Sequence, residues 1–187
     1  GSGDIGRAIA QALIADGYRV GLLDLDETKV MEAAEELGST GLVADVTDEL
    51  GVKRALKAFG AVPDVVVNNA GIGRFASLLD MPIETFRLQL DVNLTGAFIV
   101  ARAAAKGMVE RGSGVILNIT SINAITTGPG TGSYPAAKAG LAKLTEMMAL
   151  EWGPLGVRTN AIAPGFIDAG ISTPFYADPA VRAARGG

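Results

Sequence analysis

Three residues in the segment NITSINAITTGPGTGSYPAAKAG, at positions 118–140, have side chains able to move a proton between them: Ser121, Tyr134 and Lys138. The chain contains no histidine and no cysteine. Acid–base work therefore falls to Asp, Glu, Lys or Tyr, while disulfides, thiolate nucleophiles and cysteine zinc sites are excluded. No metal site is expected. Tyr134 and Lys138 stand four residues apart, so on a helix they share a face one turn apart. A free tyrosine has a pKa of about 10, and lowering it by about 3 units takes about 4 kcal/mol. One ammonium at about 4 Å supplies roughly that much at an effective dielectric of about 20. A tyrosine–lysine pair can thus do the work usually given to histidine. Ser133 is placed to cap the helix that begins at Tyr134, and its first turn tolerates Pro135.

A second pattern opens the chain. GSGDIG at 1–6 matches G-x-G-x-x-G, and a helical spacing of Ile5, Ala8, Ile9, Ala12 and Leu13 follows at once. Glycines ahead of a helix leave free N–H groups and the positive end of the helix dipole facing a pyrophosphate. Gly1, Ser2, Gly3, Ile5 and Gly6 are the expected contacts. Asp24 ends the next apolar run, 18 residues after Gly6. A carboxylate there accepts hydrogen bonds from both ribose hydroxyls of an adenosine and repels a 2′-phosphate. Leu25 follows where an arginine could have paired with such a phosphate, so NAD is favoured over NADP. The bland alternatives are a flexible glycine tail and a solvated turn acid.

The elements that must position these residues alternate. Gly17 stops the first helix. YRVGLLD (18–24), GLVAD (41–45), DVVVNN (64–69), GVILNIT (114–120) and VRTNAIA (157–163) read as short buried strands. Helices are expected over about 27–37, 48–59, 82–110 and 134–152. Pro82 suits the first position of the third of these, and an irregularity is expected near Asn93. Apolar strands separated by helices predict an α/β fold, a Rossmann-type doubly wound parallel sheet with helices on both faces, in three α/β/α layers. Its ligand crevice lies at the carboxyl ends of the strands. Asp24, Asp45, Asn68 to Gly71, Ser121 and Pro164-Gly165 all stand just there.

The 187 residues suit one domain spanning 1–187, and a formal net charge of −4 without a basic run gives no support to nucleic-acid binding. The longest apolar tract is broken by Asn93, Thr95, Gly96 and Arg102, too polar for a bilayer. No signal peptide is visible, so a cytoplasmic protein without membrane association is expected. The chain begins with Gly inside a loop and completes no element after residue 180, which reads as a trimmed domain.

Taken together, NNAG (68–71), VNLTG (92–96), ITS (119–121), YPAAK (134–138) and NAIAPG (160–165) resemble, in order, the motifs of the short-chain dehydrogenase/reductase family, single-domain branch. Ser121 stands 13 residues before Tyr134, as that family has it. The resemblance implies that hydride passes between a nicotinamide and a secondary alcohol or ketone. Tyr134 would be the general acid/base and Ser121 would polarise the reacting oxygen. Lys138 would lower the tyrosine pKa, aided by the cationic oxidised nicotinamide, and bind the nicotinamide ribose. Asn93 would hold a water in the proton relay. Asn69, Ala70 and Gly71 would line the cofactor, Asp45 and Val46 the adenine, and Pro164, Gly165 and Ile167 the nicotinamide. The resemblance also implies a strand between 18–24 and 64–69 and further carboxyl-terminal elements, neither found in these 187 residues, and a homotetramer or dimer. Asp4 departs from the family pattern at its middle glycine, and Ala169 where a threonine is common. A non-catalytic dinucleotide sensor is the alternative reading, and an epimerase fits the VNLTG and PG segments less well. Sugars, polyols and 3-oxoacyl thioesters stay open as substrates.

Overall fold

The computed structural model describes residues 1–173, 177–180 and 183. The expectation for the chain beyond residue 180 lies, apart from Ala183, outside the described residues. Helix α1 (Asp4–Ala15) leads into β1 (Gly21–Asp24), α2 (Glu27–Leu37), β2 (Thr40–Val43), α3 (Glu49–Phe59) and β3 (Val65–Asn68). Then come α4 (Ile83–Leu90), a wide π-helical turn (Asp91–Gly96), α5 (Ala97–Arg111), β4 (Gly114–Ile119), α6 (Tyr134–Trp152) and β5 (Val157–Ile162). All strand pairs are parallel, with helices packed against them, which is the expected three-layer α/β/α arrangement.

Local chemistry explains the boundaries. Asp26 and Asp48 cap α2 and α3 by accepting from the Lys29 and Leu50 N–H groups. Gly38 and Gly112 end α2 and α5 in the left-handed conformation, where a side chain would be strained. The first strand is shorter than 18–24, because Tyr18 is exposed and pairing with β2 begins at Gly21. Pro82 precedes its helix instead of opening it. The single 82–110 helix is three pieces, and the irregularity is the π turn that holds Asn93.

The strands form two pieces: β1 with β2, and β3-β4-β5. The free edges of β1 and β3 face a shared cavity of about 270 Å³, lined by Leu22, Leu23, Val65, Val66 and Val67 from the edges and by Ala10 of α1. The core is correspondingly divided. Val66, Ile116 and Val157 pack under Ala101, Ala104, Ala105 and Met108 of α5 and Met148 of α6. Leu22 packs separately with Ala10, Val30, Ala33 and Ala34. Alanines dominate both helix faces, which lets the helix backbones sit close to the sheet.

A buried polar chain crosses the larger piece. Asn68 Nδ2 donates to Ala97 O (3.1 Å) and to Asn118 Oδ1 (2.8 Å). Asn118 Nδ2 donates to Thr145 Oγ1 (2.8 Å), which donates to Leu141 O (2.7 Å). The chain links α5, β3, β4 and α6.

Candidate active site

The carboxyl ends of β3 and β4 and the start of α6 bring the expected residues together. Ser121 follows β4, is buried, and its Oγ accepts from Asn123 N–H at 3.1 Å. Tyr134 opens α6 and Lys138 follows one turn on, 4 % exposed. Lys138 Nζ donates to Ile119 O (2.8 Å) and lies 5.7 Å from the Tyr134 ring centroid. Asn93 is fully buried in the π turn. Its Nδ2 donates to Ile72 O and to Gln89 O, both at 2.9 Å, and its Oδ1 accepts from Ile72 N–H at 3.1 Å. π turns are often found at functional sites. Gly71 is where these groups meet: a Cβ there would stand 2.6 Å from Asn93 Oδ1 and 3.6 Å from Lys138 Nζ.

Electrostatics at this centre run against one expectation. Burial raises the Tyr134 pKa, and a hydrogen bond with Ser121 pulls the other way without overcoming it. Burial also lowers Lys138 to about 8. In this geometry the phenol is therefore held protonated. Lys138 directs its proton to the Ile119 carbonyl, and desolvation outweighs the charge effect anticipated for the pair.

The glycine start forms a turn against β1. A Cβ at Gly6 would run into the Gly1 carbonyl, and one at Gly1 would approach Leu23 O to 2.7 Å. Asn69 reaches the same turn, with Nδ2 3.2 Å from that Gly6 position. The turn lies at the amino end of α1, so bare backbone N–H groups and the helix dipole face outward from a cradle that side chains would fill. These residues fit the pyrophosphate of a dinucleotide. Asp24 accepts at Oδ2 from Gly1 N (2.8 Å), Ser2 N–H (2.9 Å) and Ser2 Oγ (2.8 Å). Asp24 thus ties down the glycine turn with one oxygen. Its Oδ1, with only a long 3.3 Å bond from Asp26 N–H, is the freer acceptor. Asp4 turns away from the cradle, not to cap α1 but to accept from Gly170 N–H at 2.9 Å.

The remaining expected contacts are more dispersed. Asp45 Oδ1 accepts from Thr47 N–H (2.8 Å) and Oγ1 (2.7 Å). Val46 lines the inter-sheet cavity and Leu25 is exposed. Ala70 also lines that cavity. Ile5 is half-buried in the first turn of α1 and Gly3 is its exposed N-cap. Pro164 O accepts from Ile122 N–H (2.8 Å), joining the β4 and β5 exits, while Gly165 and Ile167 are exposed. Among the described residues no group of three or more acidic side chains is arranged to hold a metal ion, and no helix is long and apolar enough to cross a membrane.

Two residues of this site escape sequence reasoning. Ser133 makes no capping bond, because its backbone is helical (φ −82°, ψ −7°) and not extended. Its Oγ instead accepts from Gln89 Nε2 at 2.6 Å. Gln89, in the middle of α4, is fully buried.

A sequence model of the family described as Enoyl-(Acyl carrier protein) reductase matches residues 2–186. A 3-oxoacyl-[acyl-carrier-protein] reductase of Synechocystis sp. is 38% identical over 189 residues, covering 95% of this chain and 76% of that one. A 3-oxoacyl-[acyl-carrier protein] reductase from Brucella melitensis, solved with bound NAD, superposes with a TM-score of 0.87 at 36% identity, over 92% of this chain and 71% of that one. A gluconate 5-dehydrogenase from Burkholderia cenocepacia, solved in complex with NADP and tartrate, gives a TM-score of 0.87 at 30% identity, over 94% and 73%. With its sheet, its glycine turn and its serine–tyrosine–lysine centre on one fold, the chain belongs to the short-chain dehydrogenase/reductase family of oxidoreductases.

Proposed function

We propose that the protein interconverts a secondary alcohol and a ketone using NAD, with Tyr134 as the proton donor and acceptor. The observation that carries this reading is the meeting of Asn93, Ser121, Tyr134 and Lys138 around the end of β3, next to a glycine cradle. The glycine turn (Gly1, Ser2, Gly3, Ile5, Gly6) would hold the pyrophosphate, and Asp24 with Leu25 the adenosine ribose. Asp45 and Val46 would border the adenine, Asn69 to Gly71 with Lys138 the second ribose, and Pro164, Gly165 and Ile167 the nicotinamide. Bound there, the nicotinamide supplies or takes up a hydride. The protein supplies the proton. Tyr134, kept protonated by burial, is ready to donate to a carbonyl oxygen, and Ser121 holds that oxygen by a hydrogen bond. General acid–base catalysis of this kind typically contributes about 10²–10⁴-fold. The Lys138 ammonium, 5.7 Å from the ring centroid, would stabilise the phenolate left when the phenol gives up its proton.

The proposed preference for NAD rests on Asp24, whose carboxylate would repel a 2′-phosphate on the adenosine ribose. The substrate is a small alcohol or carbonyl compound. Residues 1–187 are proposed as one dinucleotide-binding and catalytic domain, with the cavity between β1 and β3 as the place of a further strand. Exposed apolar residues on α4 and α6, Ile83, Leu88, Met147 and Leu150, favour assembly through these helices, and a cytoplasmic setting accords with the chemistry. The test is turnover: the full protein is given NAD or NADP with a panel of sugars, polyols and 3-hydroxyacyl thioesters, and NADH or NADPH absorbance is followed. Cofactor binding without any turnover across the panel would instead indicate a dinucleotide sensor.

A further inference from the structure

Asn93 and Gln89 stand four residues apart and so present their amides on one side of the α4–π segment. Both pair with the same stretch of loop after β3. Asn93 exchanges two bonds with the backbone of Ile72. Gln89 does the same two residues further on: Arg74 N–H donates to its Oε1 at 2.8 Å, and its Nε2 donates to Arg74 O at 3.1 Å. Residues 72 to 76 belong to no helix or strand. Two side-chain amides thus give this loop the pairing that a neighbouring strand would otherwise provide.

The second hydrogen of Gln89 Nε2 goes to Ser133 Oγ at 2.6 Å. Ser133 is 1 % exposed and is the residue directly before Tyr134. Every donor and one acceptor site of the Gln89 amide is then used, and all of them point to the surroundings of Tyr134. On one side is the start of α6. On the other is Arg74, whose neighbour Phe75 sets its ring edge-on to the Tyr134 ring at 5.9 Å between centroids and 66° between planes. The two sides lie close together: a Cβ added at Gly132 would come within 3.2 Å of Arg74 O.

We infer that Gln89 is a positioning residue for the reaction: its buried amide ties the Ser133 hydroxyl, next to Tyr134, to the Arg74 backbone, next to Phe75, and so fixes the phenol relative to Ser121. The inference rests on Tyr134 acting as the acid/base. A solvent-facing glutamine would have no such effect. A merely space-filling one would be replaceable by methionine, which has similar length and no hydrogen-bonding amide. Misplacing a reacting group by about 1 Å can lower the rate by about 10²-fold.

The experiment uses the full protein and its best carbonyl substrate from the panel, with kcat expressed per NADH-binding site, titrated by NADH fluorescence, so that unfolded protein does not count. Gln89→Met is expected to lower kcat by about 10- to 100-fold. The NADH dissociation constant should stay within about twofold and KM within about threefold, because the lost interaction acts in the transition state. Ser133→Ala removes one hydroxyl and keeps the question open to test even where Gln89→Met folds poorly. It should lower kcat by about 10-fold. The double variant should be no slower than the slower single variant, since both cut the same bond. Single variants that keep kcat within about threefold of the parent, or losses that multiply in the double variant, overturn the inference. Tyr134→Phe is run alongside: if it is inactive while the Gln89 and Ser133 variants turn over normally, only the positioning role falls. If Tyr134→Phe is as active as the parent, the reading beneath it falls too.

Discussion

Replacing Lys138 by methionine should make the protein more stable while destroying its activity. Lys138 carries an ammonium into a place that is 4 % exposed, and burial takes its pKa from the ordinary 10.5 down to about 8. The unfolded chain holds this proton up to about pH 10.5, and the folded chain releases it near 8. Between those values the unfolded state binds more protons, so stability rises with pH across that window. Below about pH 8 the whole penalty is present. At about 1.36 kcal/mol per pH unit it comes to about 3 kcal/mol. Methionine has similar length and no charge, so Lys138→Met removes this penalty. It also loses the bond to Ile119 O and leaves that carbonyl unpaired, at a cost of about 1 kcal/mol. The net gain at neutral pH is about 2 kcal/mol, or about 4–8 °C in Tm for a chain of this size. Urea unfolding of the full protein and of its Lys138→Met variant, at intervals from neutral pH to about 10, reads it directly. The variant should lead at pH 7, with the lead shrinking steadily above pH 8. Tyr134 titrates nearby with the opposite sign. Its pKa is raised by burial, so the unfolded state loses that proton first and stability falls above about pH 10. Taking the difference between the two curves removes this effect. A variant less stable than the parent at pH 7, or a lead unchanged up to pH 10, would refute the reasoning.

Tyr134→Phe should lower turnover by about 10²–10⁴-fold and leave NADH binding nearly intact, measured by fluorescence titration; activity within threefold of the parent removes Tyr134 from the mechanism. The parent should turn over faster with NAD than with NADP, and Asp24→Ser combined with Leu25→Arg should relax or invert that preference. Because Asp24 also holds Ser2, the double variant should bind either cofactor more weakly; a parent that prefers NADP contradicts the assignment of Asp24. Finally, residues 1–187 produced alone should melt broadly, and the protein restored at both ends should melt cooperatively. Unpaired buried backbone groups cost about 1–3 kcal/mol each, a large part of the 5–15 kcal/mol typical of a domain. A sharp transition for residues 1–187 alone, raised by NAD, would show that the two sheet pieces need nothing between them.

The order of the main helices and strands was legible in the sequence, because short apolar runs alternate with helical spacing and with glycine stops, but the late start of β1 at Gly21 and the division of 82–110 into α4, the π turn and α5 were not. The meeting of Ser121, Tyr134 and Lys138 was legible too, since each sits at an element boundary fixed by those patterns. Gln89 was not. In FRLQLDVN it reads as a polar residue on a solvent face, and only the tertiary placement of Arg74 and Ser133 shows that its amide is enclosed. Ser133 had the residue type of a cap, but its helical backbone angles turn Oγ away from the free N–H groups. The burial that raises the Tyr134 pKa was not legible for a related reason. A four-residue spacing gives the closeness of a lysine, not how much water the fold removes from both. Asp4 departs from the family pattern, yet its partner, Gly170, is 166 residues away, and no local pattern announces such a contact.

Asn68 and Asn118 are directly opposite one another in the ladder between β3 and β4, and their side chains bond at 2.8 Å. A parallel pair made only of valine, isoleucine and leucine can slide, since one apolar contact replaces another. Two amides facing each other cannot slide without both losing a partner inside the core. They act as an alignment pin. Asn69 follows one strand and Thr120-Ser121 the other, so the pin sets these strand exits level with each other. The proposed reaction would depend on that levelling: a cofactor wall built from one strand and an acid–base centre built from the next would have to end at the same height. Two buried amides in the sheet are thus the groups that would keep the two halves of the proposed reaction in step.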